Sequence, residues 1–136
     1  EGIQSKALYD IVYLSIAITG LTSSLARGSD QCAIAHMIYE SSRTLFPEQV
    51  RNCLHGELVA LGLLAQLEYN GESEQVEPFR QRMKSHNMPT HLREVGIDAS
   101  AEVLDMYYKM LLESAAMDGT DEEEKRKLRS SLEVML

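Results

Sequence analysis

Strand signals are almost absent from this chain. No window shows sustained alternation of apolar and polar residues, and β-branched side chains are sparse beside Leu, Ala, Met, Glu and Ser. Basic clusters are missing as well. With 13 Lys and Arg against 21 Asp and Glu the formal net charge is -8, and the cations are scattered. That excludes nucleic acid and an anionic membrane surface as expected partners, because both need local positive charge. Cysteine is scarce: Cys32 and Cys53 show neither CxxC spacing nor any other zinc-finger pattern, and no signal peptide precedes them. They read as reduced thiols of a cytoplasmic protein. The longest apolar run, Gly56 to Tyr69, is about fifteen residues, short of the roughly 20 that span a bilayer. There is no nucleophile elbow, P-loop or GxGxxG. The opening, EGIQSKALYD, lacks an initiator Met and reads as linker at the edge of a piece of a longer protein.

Helix signals fill the rest. A chain of 136 residues, 44% of them hydrophobic, is expected to fold around one core. Leu8, Ile11, Val12, Ser15, Ile16 and Thr19 share one helical face between about Ser5 and Leu25, with Gly20 able to break or bend it. After a loose Gly28-Ser29, Asp30 is a candidate N-cap for a helix over Gln31 to Ser42 with Ile34, Met37 and Ile38 inward. Phe46-Pro47 marks a further helix start. Gly56 to Tyr69 is apolar nearly all round and is stopped by Asn70-Gly71, as expected of a bundle's central post. SEQVEPFRQRMKSHN is amphipathic with a break expected at Pro78, and MPTHLREVGID reads as a short helix ended by Gly96. Ser100 to Met117 is a longer helix, and the last one starts at Thr120 or Asp121 with Glu residues against the positive end of its dipole. The expectation is an all-α bundle of about six or seven helices forming a single helical domain over 1–136.

Four histidines are candidates for chemistry. His86 and His91 lie in polar stretches near Pro89 and read as solvated surface residues. His36 and His55 each sit near the start of an expected buried helix, and two such starts can converge on one point. Neutral imidazole is a good ligand for Zn or Fe. Spacing alone favours the plainer reading, in which each is a core histidine satisfied by a carbonyl. Glu40, four residues after His36, shares its helical face and could chelate with it, although a surface carboxylate is the more ordinary role. Glu57 is placed to cap the first turn after His55.

AHMIYES around His36, followed by LHGELVALGLLAQLEYNG around His55 nineteen positions later, resembles the metal-binding part of the glycerol dehydrogenase branch of the iron-containing alcohol dehydrogenase superfamily. In that pattern A-H-x-I precedes H-G-E-x-V-A-x-G-x-L-x-Q-L, matched here by His55, Gly56, Glu57, Val59, Ala60, Gly62, Leu64, Gln66 and Leu67. MPTHLREVGID resembles the family's downstream segment. The resemblance implies the C-terminal helical domain of a dehydroquinate synthase-like fold, lacking an N-terminal nucleotide-binding domain of the same chain. It further implies a divalent metal, Zn or Fe, with His36 and His55 as two of its ligands and an upstream Asp as the third. NAD or NADP would be held mainly by the other domain. A small polyol or alcohol would be the substrate, and a homo-oligomer the assembly. The chain alone would then be inactive, as half of a metal-dependent dehydrogenase. Two departures lie close to the expected site: a polar RGSDQC before the first histidine pattern, and Tyr39 and Glu40 where many relatives place another His. Two other readings compete. One is a non-catalytic helical interaction or assembly module; the other is a phosphate-substrate member of the same superfold, such as a glycerol-1-phosphate dehydrogenase or dehydroquinate synthase, for which Arg27 and Arg43 are the nearby cations.

Overall fold

The structure is a computed structural model that describes residues 5–21, 34–114 and 117–136. Gly28, Ser29, Asp30, Gln31 and Cys32, and with them the expected helix start at Asp30, lie outside the described residues, as does Arg27. The described residues are helical with no strand, which is the all-α class expected from the missing alternation. By backbone contacts the chain divides into two compact units, residues 1–31 and 32–136.

In the first unit, α1 (Lys6–Tyr13) starts at Ser5, whose hydroxyl accepts a hydrogen bond from the Leu8 N–H at 3.3 Å. It continues into a π-helical stretch, Leu14–Ile18, where Thr19 Oγ1 donates to Leu14 O at 3.1 Å. Gly20 stays within the helix rather than breaking it. Leu8, Ile11, Val12 and Ile16, which share one helical face, are all exposed.

The second unit contains α2 (Ile34–Leu45), α3 (His55–Asn70), α4 (Ser73–Ser85), α5 (Ala101–Leu112) and α6 (Glu122–Ser131), with single 3₁₀ turns at Leu92–Val95 and Leu132–Met135. As the apolar run required, α3 is the central post: it packs against α2, α4, α6 and the last 3₁₀ turn. Leu58, Leu61, Leu64 and Ala65 are each at most 1% exposed. Gly71 ends α3 in the left-handed region at φ 79°, where a residue without Cβ is favoured. α5 is shorter than the pattern predicted, stopping at Leu112, and Ser100 caps it by accepting from Val103 N–H at 3.4 Å. Asp121 rather than Thr120 caps α6, accepting from Glu123 and Glu124 N–H at 2.9 Å each.

At Pro47 and Pro78 the expectation fails. Phe46-Pro47 does not open a helix: residues 47–52 form successive turns between α2 and α3, closed by Val50 N–H to Phe46 O at 3.1 Å and Cys53 N–H to Val50 O at 3.0 Å. A buried Val50 anchors this segment in the core. Pro78 does not interrupt α4 either. It removes one donor, but the acceptor this deprives belongs to Glu74, an exposed residue whose carbonyl water can serve.

Arg80 of α4 is 9% exposed, unusual for a charged residue. Its guanidinium donates to Thr90 O at 2.6 Å and to Val134 O at 2.8 Å, and stands 3.0 Å from His91 Nε2. Because the guanidinium can only donate, His91 Nε2 accepts and the ring proton sits on Nδ1, 2.9 Å from Thr90 Oγ1. His91 is therefore half-buried and bonded between Arg80 and Thr90, not the solvated surface residue expected. His86, by contrast, is exposed, with Nδ1 2.8 Å from Arg82 O.

Candidate metal centre

Helical spacing puts His36, Tyr39, Glu40 and Arg43 along one side of α2 at i, i+3, i+4 and i+7. His55 is the first residue of α3. It reaches that position because Glu57 Oε2 accepts from the Leu54 N–H at 2.7 Å, closing the first turn as its spacing suggested. The two helices then meet so that the His36 and His55 rings lie 5.6 Å apart between centroids, inclined at 50°. Tyr39 presents its ring to His55 at 4.5 Å in an edge-to-face arrangement.

The approach of α2 to α3 has a backbone cause. A Cβ on Gly62 would come within 2.7 Å of Ala35 O and 2.9 Å of Ala35 Cα, so only glycine lets the helices come this close. One turn on, Gln66 Oε1 accepts from the Ala35 N–H at 3.4 Å. Ala35 immediately precedes His36, so both contacts fix the start of α2 against α3. The glycine beside His55, Gly56, has no such role: among the described residues nothing lies within 4 Å of a Cβ built there.

Arg43 holds the other side. Its guanidinium donates to Val50 O at 2.9 Å and to Cys53 O at 2.7 Å, and lies 5.7 Å from the centre of the Tyr39 ring. The turn segment leading into His55 is thereby tied to α2. Nearby, burial pushes the Cys53 thiol up, Glu57 adds to this and Arg43 opposes it. A thiol held in its protonated form is a poor ligand.

Both imidazoles are exposed, and among the described residues neither makes a hydrogen bond. The plainer expectation, two core histidines satisfied by carbonyls, does not describe them. Two imidazoles sharing one ion at a metal–nitrogen distance of about 2.1 Å and a near-tetrahedral angle have centroids about 5 Å apart; the 5.6 Å found here is close to that. Glu40 does not join the pair, since it lines a groove with Met37, Thr44 and Met110 between α2 and α5. Among the described residues no group of three or more His, Cys, Asp or Glu side chains is placed to hold a metal ion.

No family model, curated protein or solved structure matches the chain. Among the described residues, no helix is long and apolar enough to cross a membrane.

The positions that build this pair were only partly visible in the sequence. His36, His55 and Glu57 stood out by residue type and spacing. Arg43 stood out only as a possible phosphate ligand, and Tyr39 only as a departure from the resembled pattern. Their signal was the shared helical face with His36.

Proposed function

We propose that this chain is the metal-binding helical half of a nicotinamide-dependent alcohol or polyol dehydrogenase, with His36 and His55 as two ligands of a divalent ion, Zn or Fe. The observation that carries the reading is the convergence, from two different helices, of two exposed imidazoles that make no hydrogen bond among the described residues. A two-imidazole pair leaves the remaining positions to a further protein ligand and to substrate oxygen. When bound, such an ion supplies Lewis acidity toward a substrate hydroxyl. The chain's own contribution is to hold the two imidazoles at one spacing: Gly62 and Gln66 place His36, and Glu57 starts the helix that carries His55. Hydride transfer belongs to a nicotinamide held by a separate nucleotide-binding domain, so the helical half alone is inactive.

The phosphate-substrate reading is less well supported. Arg43, its nearby cation among the described residues, gives its donors to two backbone carbonyls. A titration of the chain with Zn²⁺, followed by the imidazole ¹⁵N shifts, tests the proposal. His36 and His55 should respond with one midpoint while His86 and His91 stay still, and H36A or H55A should each abolish the response. A chain that binds no Zn²⁺, or binds it equally well without both histidines, overturns the metal-binding reading.

A further inference from the structure

We infer that Arg43 is a positioning residue for the His36–His55 pair, an assignment that rests on the metal-binding reading above. Three observations lead to it. The segment between α2 and α3 is only a run of turns, and its last residue before Leu54 and His55 is Cys53. The carbonyls of Val50 and Cys53 both receive the Arg43 guanidinium, at 2.9 and 2.7 Å, so this side chain ties the segment that delivers His55 directly to α2. The same guanidinium lies 5.7 Å from the Tyr39 ring centre, and Tyr39 in turn meets His55 at 4.5 Å. Arg43 therefore acts on His55 along two routes, through the backbone and through an aromatic ring. Its planar fork suits two carbonyls at once, which a single ammonium matches less well.

The sign of the effect separates positioning from charge. Removing a cation from beside a cation site should tighten metal binding if electrostatics dominated. If Arg43 positions the ligand, removing it weakens binding, by about tenfold, the lower end of what outer-shell partners of metal ligands contribute. The variant R43M, checked for wild-type helical circular dichroism, should bind Zn²⁺ about tenfold more weakly by the His36 and His55 ¹⁵N shifts. In the H55A background the same substitution should change nothing further. R43K should fall between wild type and R43M, and it carries the test if R43M does not fold. An unchanged or tighter midpoint in R43M, or in R43K where R43M is unfolded, overturns the inference.

A second readout needs no metal. The nuclear Overhauser contact between the His36 and His55 rings should be present in the wild-type chain and weakened in R43M. If the wild type binds no Zn²⁺ yet R43M loses the ring contact, the metal reading fails and the positioning role stands. If Zn²⁺ binds and both midpoint and ring contact survive R43M, the positioning role fails and the metal reading stands.

Discussion

A single buried hydroxyl pair shows how polar groups are tolerated in this core. Tyr107 is fully buried, and its OH lies 2.7 Å from Ser42 Oγ, which also lies 2.7 Å from Ile38 O. Ser42 has one proton to give, and the Ile38 carbonyl can only accept; the serine therefore donates to Ile38 O and accepts from Tyr107. Removing one partner of such a pair leaves the other unsatisfied, whereas removing the outer member leaves the serine still bonded. S42A should therefore destabilise the chain by about 1–3 kcal/mol, and Y107F by less, about 1 kcal/mol. Urea midpoints of the two variants measure this, and a larger loss in Y107F would contradict the bonding order. At this scale the sequence was silent: a Ser in a helix and a Tyr 65 residues later give no sign that they meet.

Between elements, the contact of α2 with α3 determines more than stability. G62A would drive a methyl into the Ala35 carbonyl, 2.7 Å from the new Cβ, and push the helices apart at a cost of about 1–3 kcal/mol. G56A meets nothing within 4 Å, and since alanine favours helix it should be neutral or gain up to about 1 kcal/mol. Thermal melts of the two variants separate these outcomes, and the ring contact of His36 with His55 should weaken only in G62A. Much of the element order was legible beforehand, because α3 and α6 carry patterns bounded by clear caps, Gly71 and Asp121. The failures at Phe46-Pro47 and Pro78 share a cause. Proline states which donor is missing but not whether the partner carbonyl is exposed to water, and a buried Val50 or an exposed Glu74 decided the matter through tertiary placement. Of the candidate site, the two imidazoles and the Glu57 cap were legible and the Arg43 bonds were not, since those depend on a turn segment with no local signature.

Over the whole molecule, alkaline pH offers a test of how the bundle is closed. Burial pushes Tyr107 up to about 12, and the hydrogen bond to Glu124, more than burial, pushes Tyr69 up to about 12. An unfolded tyrosine ionises near 10. The folded state therefore holds protons that the unfolded state releases, so this contribution is complete below pH 10 and is lost as pH rises from 10 toward 12. Urea midpoints should fall between pH 9 and pH 11, and the fall should be shallower in Y107F. An identical fall in Y107F would show that other groups carry it. Acid acts at the other edge of the molecule. Glu94 is held below the usual carboxylate range, chiefly by the Thr90 N–H, and this support of the turn before Leu92 is complete above that range and lost as pH falls below it toward the lowered value. Finally, the gap between the two imidazoles is set where Gly62 meets the Ala35 main chain, not where leucines interlock. Exchanges among Leu58, Leu61 and Leu64 should therefore alter the spacing of the two imidazoles less than any substitution at position 62.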